Sequence, residues 1–247
     1  MHIRVAGLAL LSVAGIGMAV TSCGGAPVTA KPVASASQSE SGPAVPASAT
    51  ASSVAPSSSA PVAAGYQRIG GAAQGISVAV PASWAVIDPT KESMKSAASK
   101  LEVQGVSAAT LRQDVETVQK LHGTMVVDAK SAVEDPKHFA RNLNAYCATS
   151  GVTDTGAAGL QLLRTASAAE FEKIGATHIT QKDFVIGGVP GVETSYRLRS
   201  QTMGTLYGSQ LEVLPKPNAL CVVTLSRDAS ESAGDVLSTA AATAQFP

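Results

Sequence analysis

From Thr177 to Asp228 the sequence settles into a two-residue period and holds it through four successive segments, with turn residues at the joins. "THITQKDFVIGG" meets "VPGVETSYRLRS" across Gly187-Gly188, a pair suited to the positive φ values of a tight hairpin. In the second segment Val192, Thr194, Tyr196 and Leu198 oppose Glu193, Ser195, Arg197 and Arg199, so the strand has two unlike faces. "GTLYGSQLEVL" and "ALCVVTLSRD" follow, parted by the turn Pro215-Lys216-Pro217-Asn218. Consecutive strands joined by short turns, rather than strict βαβ alternation, predict an α+β fold with an antiparallel sheet covered by helices.

The other segments fit that class. "GISVAVP" (75–81) reads as a strand with Ile76, Val78 and Val80 on one face. Asp88-Pro89 reads as an N-cap and first helical position, ahead of Met94, Ala97, Ala98 and Leu101 at helical spacing. Gly105 breaks that helix, and Ser107 starts another with Leu111, Val115, Val118 and Leu121 on its face, ended by Gly123. "TMVVDAK" is a predicted strand, Asp135-Pro136 a loop, and "FARNLNAYCA" a strand carrying Phe139, Leu143, Ala145 and Cys147 on one face. Gly156 to Ile174 is helical by its stripe Leu160, Leu163, Ser167, Phe171 and Ile174, and a last helix runs from Ser232 to Gln245.

"ISVAVPASW", with its strand, Pro81 and Trp84, resembles the entry of the PsbP-like domain. "IGGVPGVETSYRL" and the hairpin "VLPKPNALCVVTLS" before a terminal helix are similar to the second half of that domain. The fold also includes the yeast Ran-binding nuclear import factor and the actinobacterial LpqN-type lipoproteins. The resemblance implies an antiparallel sheet with flanking helices, used for binding and assembly. It carries over no site residue.

The N-terminal region predicts where the chain works. Arg4 precedes "VAGLALLSVAGIGMAV" (5–20), an uncharged apolar run shorter than the roughly 20 residues of a bilayer span. Val20-Thr21-Ser22-Cys23 then resembles the lipobox of bacterial lipoproteins. That resemblance implies a diacylglycerol on the Cys23 thiol and cleavage just before it, leaving 1–22 as a signal peptide. The expected location is the extracytoplasmic face of the cell membrane, since two acyl chains hold firmly where one is marginal. Residues 24–64 include 12 Ala, 10 Ser and 6 Pro and no aromatic residue. Such a segment cannot bury enough apolar surface to offset its chain entropy, so 23–64 is expected to be a disordered tether. Residues 65–247 are then the size of one domain.

Export would place Cys147 and Cys221 where disulfides persist. Each lies in a strand-like run, and a bond would close a loop of about 75 residues, worth roughly 4 kcal/mol on the chain-entropy account. Two inert buried thiols are the alternative. A redox pair is disfavoured, because no Cys-x-x-Cys occurs.

Little in the sequence points to chemistry. Gly-x-Ser-x-Gly and His-Glu-x-x-His are both absent, and His122, His138 and His178 have no second ligand at metal spacing. Neither a catalytic residue, a metal nor a cofactor is therefore implied. Glu170 and Glu172 stand two apart on a helix and diverge, "GGVPG" (187–191) reads as a turn rather than a phosphate loop, and Trp84 reads as core beside Pro81. From Gly65 onward 16 Lys and Arg oppose 17 Asp and Glu with no basic stripe, so no nucleic-acid partner is expected. Arg197 and Arg199 share a strand face with Glu193 and Ser195. They could grip an anionic group such as a phosphate or carboxylate, or could simply be a solvated face that limits aggregation. The expectation is a non-catalytic binding domain for a protein, glycan or lipid component. The alternatives are a wall hydrolase with a dispersed active site, or a lipid carrier with an apolar cavity.

Overall fold

The computed structural model describes residues 62–87, 116, 118–134, 139–200, 204–228 and 234–247. Cys23, the leader, nearly all of the tether, the helix expected after Asp88 and most of the next one lie outside these residues.

Nine strands are described: β1 Tyr66–Gly71, β2 Ile76–Pro81, β3 Ala85–Ile87, β4 Thr124–Val127, β5 Asn142–Thr149, β6 Thr177–Ile186, β7 Val189–Ser200, β8 Gly204–Lys216 and β9 Ala219–Asp228. Three helices accompany them: α1 Ala129–Glu134, α2 Ala157–Lys173 and α3 Gly234–Thr243. β1 and β2 form a two-stranded hairpin, and the other strands form one sheet in the order β3-β4-β5-β9-β8-β7-β6. All of these pairings are antiparallel. The α+β reading with an antiparallel sheet therefore stands.

The β6–β7 hairpin closes at Gly187 and Gly188, with φ of 57° and 82°, and Ile186 pairs with Val189. The β8–β9 connection is shorter than the expected four-residue turn. β8 runs on through Lys216, which pairs with Ala219, so only Pro217 and Asn218 turn the chain. Asn218 takes the left-handed conformation at φ 61°, which Asn tolerates well. At the helix expected to end on Gly123, His122 is the left-handed residue at φ 52°, while the Gly123 N–H donates to the Val118 carbonyl at 2.8 Å.

The sheet is covered on both faces along its middle strands. On one face Leu143, Ala145, Leu211, Val213, Val223 and Leu225 pack with Ile76, Val78 and Val80 of the hairpin and with Leu237, Ala240 and Ala241 of α3. The C-terminus finishes this layer, because Ser77 and Gln245 exchange two backbone hydrogen bonds of 2.9 Å. On the opposite face α2 lies over the sheet through Leu163 and Phe171, which pack with Tyr146, Leu220 and Val222 and with Tyr196 and Leu198. The expected stripe on α2 holds at Leu163, Ser167 and Phe171, but Ile174 is exposed just past the helix end. Trp84 is buried as expected, with the Arg141 guanidinium 5.2 Å from its ring centre.

Cys147 and Cys221 are direct cross-strand partners of β5 and β9 and form a disulfide, with Cα atoms 4.0 Å apart. Three elements were not expected from the sequence: β1, β3 and α1. β1 buries only Ile69 fully and exists as the hydrogen-bonded partner of β2.

Candidate functional site

The structure places two chemically distinct features on the two faces of the sheet. The first is on the face carrying Arg197 and Arg199. Thr177, Arg197, Tyr207 and Arg227 are successive cross-strand partners from β6 to β9. The Arg197 and Arg227 guanidinium carbons lie 5.2 and 5.5 Å from the Tyr207 ring centre, so one aromatic ring supports two cations. A depression of about 280 Å³ opens here, lined by His178, Thr180, Ser195, Arg197, Tyr207 and Arg227. His178 is delivered by an irregularity in β6, where the register shifts between Thr177 and Thr180 and His178 takes φ 53°.

The charges expected beside Arg197 are rearranged. Glu193 is bound by Lys182 at 3.0 Å and accepts a 3.4 Å hydrogen bond from the Ser195 hydroxyl, so it does not neutralise the arginine. Among the described residues no carboxylate pairs with Arg197 or Arg199. Arg199 is exposed and pairs in register with Thr205, away from the depression, and Arg227 takes the place the sequence reading gave it. Nothing local in the sequence marks Arg227 or Tyr207. Only the register of three strands brings them to Arg197.

The second feature lies under α2 and was not anticipated. Glu212, on β8, is only 1% exposed. The Ser167 hydroxyl of α2 donates to its Oε2, and the Gln210 amide donates to its Oε1 at 3.1 Å. Gln210 in turn accepts from the Thr224 hydroxyl at 3.0 Å. Burial pushes the Glu212 carboxyl up to about 7, against the opposing pull of the Ser167 and Gln210 hydrogen bonds. The phenols of Tyr146 and Tyr196 are raised above their ordinary range, first by burial and then by the Glu212 charge. A cavity of about 60 Å³ reaches this carboxyl, walled by Tyr146, Phe171, Leu220 and Val222, with Ser167 and Glu170 on its helical side. Glu170 and Glu172 diverge as expected: Glu170 turns to the cavity wall and Glu172 is exposed. Ser167 was visible in the sequence as the polar residue in an otherwise apolar stripe, which is the signal that could have led to Glu212.

His122 and His178 are exposed, His138 lies outside the described residues, and no cluster of metal-ligand side chains occurs among the described residues.

No protein-family profile matches the chain, and no curated protein matches it. Among solved structures the chain is similar to CyanoP, the cyanobacterial PsbP of Synechocystis sp. PCC 6803. That match has 15% identity over 75% of this chain and 95% of CyanoP, with a TM-score of 0.43. It is also similar to PA94, a Pseudomonas aeruginosa protein of unknown function, at 18% identity over 37% of this chain, with a TM-score of 0.30. The chain spans 61% of the length of PA94.

Proposed function

We propose that this chain is an exported lipoprotein, similar to the LpqN-type, whose PsbP-like domain binds an anionic component of the cell envelope without catalysis. Cys23 is the lipidation site in this reading, and residues 24–64 space the domain from the membrane. The Cys147–Cys221 disulfide suits an oxidising compartment outside the cytoplasm. The observation that carries the binding role is the Arg197–Tyr207–Arg227 row. Two guanidinium groups fixed over one ring at an open depression are pre-organised for a phosphate or carboxylate, and Glu193 is occupied elsewhere.

The test is co-sedimentation of the chain from Gly24 onward with vesicles of phosphatidylglycerol, against vesicles of phosphatidylcholine. Each charge-assisted hydrogen bond contributes about 1.5–3 kcal/mol, so Arg197→Ala combined with Arg227→Ala should weaken binding by tenfold or more. Arg199→Ala should change it far less. Unchanged binding in the double variant would remove the anion role.

A second reading, the wall hydrolase, draws on one observation: Glu212 and Glu170 line the same cavity in unlike environments. A cavity of about 60 Å³ suits a small group better than a sugar ring, and this favours binding over glycoside hydrolysis.

A further inference from the structure

Glu212 is a buried carboxyl group whose partners are all neutral. Ser167 and Gln210 hydrogen-bond it, and no Lys, Arg or His lines the cavity that reaches it. A buried carboxylate without a counter-charge is costly, and a cation that pairs with it offsets part of that cost against its own desolvation. The walls suit such a cation. The cavity is lined by the rings of Tyr146 and Phe171, and Glu170, itself paired with Lys173, stands at its helical side. Aromatic rings and carboxyl groups together form the usual surroundings of an organic cation. The space of about 60 Å³ admits a small head group and little more. Among the described residues there is no third acidic, histidine or cysteine ligand, which points away from a divalent metal.

We propose that the cavity under α2 is a binding site for a primary ammonium group, with Glu212 as its counter-ion. The site is separate from the Arg197 face and takes the opposite charge. The titratable groups around Glu212 are Tyr146 from β5 and Tyr196 from β7, both neutral throughout the physiological range, and Glu170 from α2, which lines the same cavity and is paired with Lys173. Glu212 itself is half-protonated near pH 7, so an incoming ammonium must displace a proton below that pH. Affinity therefore rises about tenfold per pH unit up to about 7 and levels off above it.

The experiment is calorimetric titration of the full chain, in a non-ionic detergent, with n-propylammonium chloride and with 1-propanol as the neutral match. Measured in buffers of different ionisation enthalpy, binding should release about 0.9 proton at pH 6 and about 0.1 at pH 8. The alcohol should bind at least tenfold more weakly at pH 8, and Glu212→Gln should lose the ammonium preference. Nα-acetyl-lysine amide and O-phosphorylethanolamine serve as further arms. Tighter binding of the first identifies a lysine side chain as the source of the amine, and of the second a lipid head group. Equal affinity for the alcohol and the ammonium would overturn the proposal. So would binding without proton release at pH 6, a measurement on the unaltered chain that does not depend on how the variant folds.

Discussion

Glu212 makes the stability of the domain depend on pH in the unusual direction for an acid. Its carboxyl titrates at about 7 when folded, against 4.5 for the ordinary group. Below pH 4.5 it is protonated in both states and contributes no pH dependence. Between 4.5 and about 7 the unfolded chain releases this proton more readily, so stability falls as pH rises. Above about 7 the full penalty is present, about 3 kcal/mol by linkage. Glu212→Gln keeps the shape and the acceptor toward Gln210 but removes the charge. We expect the variant to gain up to about 3 kcal/mol over the parent at pH 8 in urea unfolding, and close to nothing at pH 4.5. A gain of equal size at both pH values would show that the carboxylate is not what costs stability. The residue was hard to read in "SQLEVLP", where Gln210 and Glu212 alternate with Leu211 and Val213 as on a strand with one wet face. The burial of Gln210 and Glu212 comes from α2, some 40 residues earlier in the chain, and no local pattern reports it.

At the scale of elements, the disulfide cross-links two neighbouring strands of the sheet at the point where the hairpin turn packs on them. β5 and β9 are neighbours in the sheet although Cys147 and Cys221 are 74 residues apart. The Cys147 N–H donates to the Gln74 carbonyl at 2.9 Å, so the β1–β2 turn rests on the bond. Gly75, at φ 69°, passes so close that a Cβ there would stand 2.9 Å from the Cys147 Cβ. Replacing both cysteines by alanine should lower the unfolding free energy by about 4 kcal/mol, measured by denaturant titration, because the unfolded chain regains its loop entropy. A loss below about 1 kcal/mol would mean that the cross-link adds little to what strand pairing already holds. The strands from β6 to β9 were legible because alternation, Gly187-Gly188 and Asn218 all act within a few residues of each other. β1 was not, since "YQRIGG" fully buries one side chain and owes its strand form to β2. β3 and α1, of three and six residues, are too short to show a period. The same limit applies to the cationic face. Arg197 was legible from the alternation of β7, whereas Arg227 and Tyr207 join it through register, which depends on the whole β7–β8–β9 alignment.

For the whole molecule, the two proposed sites would prefer opposite charges, and the proposed anchor would decide which ligands they meet. An Arg197–Arg227 face on a domain tied to a membrane samples anionic head groups at high local concentration. The same face on a released domain meets them only at bulk concentration. The consequence is testable through Cys23 alone. In a bacterial host that processes lipoproteins, radiolabelled palmitate should enter the native chain, and the protein should fractionate with membranes. Cys23→Ala should take up no label, because no other thiol lies beside the apolar leader and Cys147 and Cys221 are bonded to each other. Globomycin, which blocks the lipoprotein peptidase, should leave the native chain larger by its 22-residue leader. Label that persists in Cys23→Ala would place the lipid elsewhere. Native chain that takes up no label and fractionates as soluble protein would remove the tether from the mechanism, and the Arg197 face would then have to find its anion in free solution.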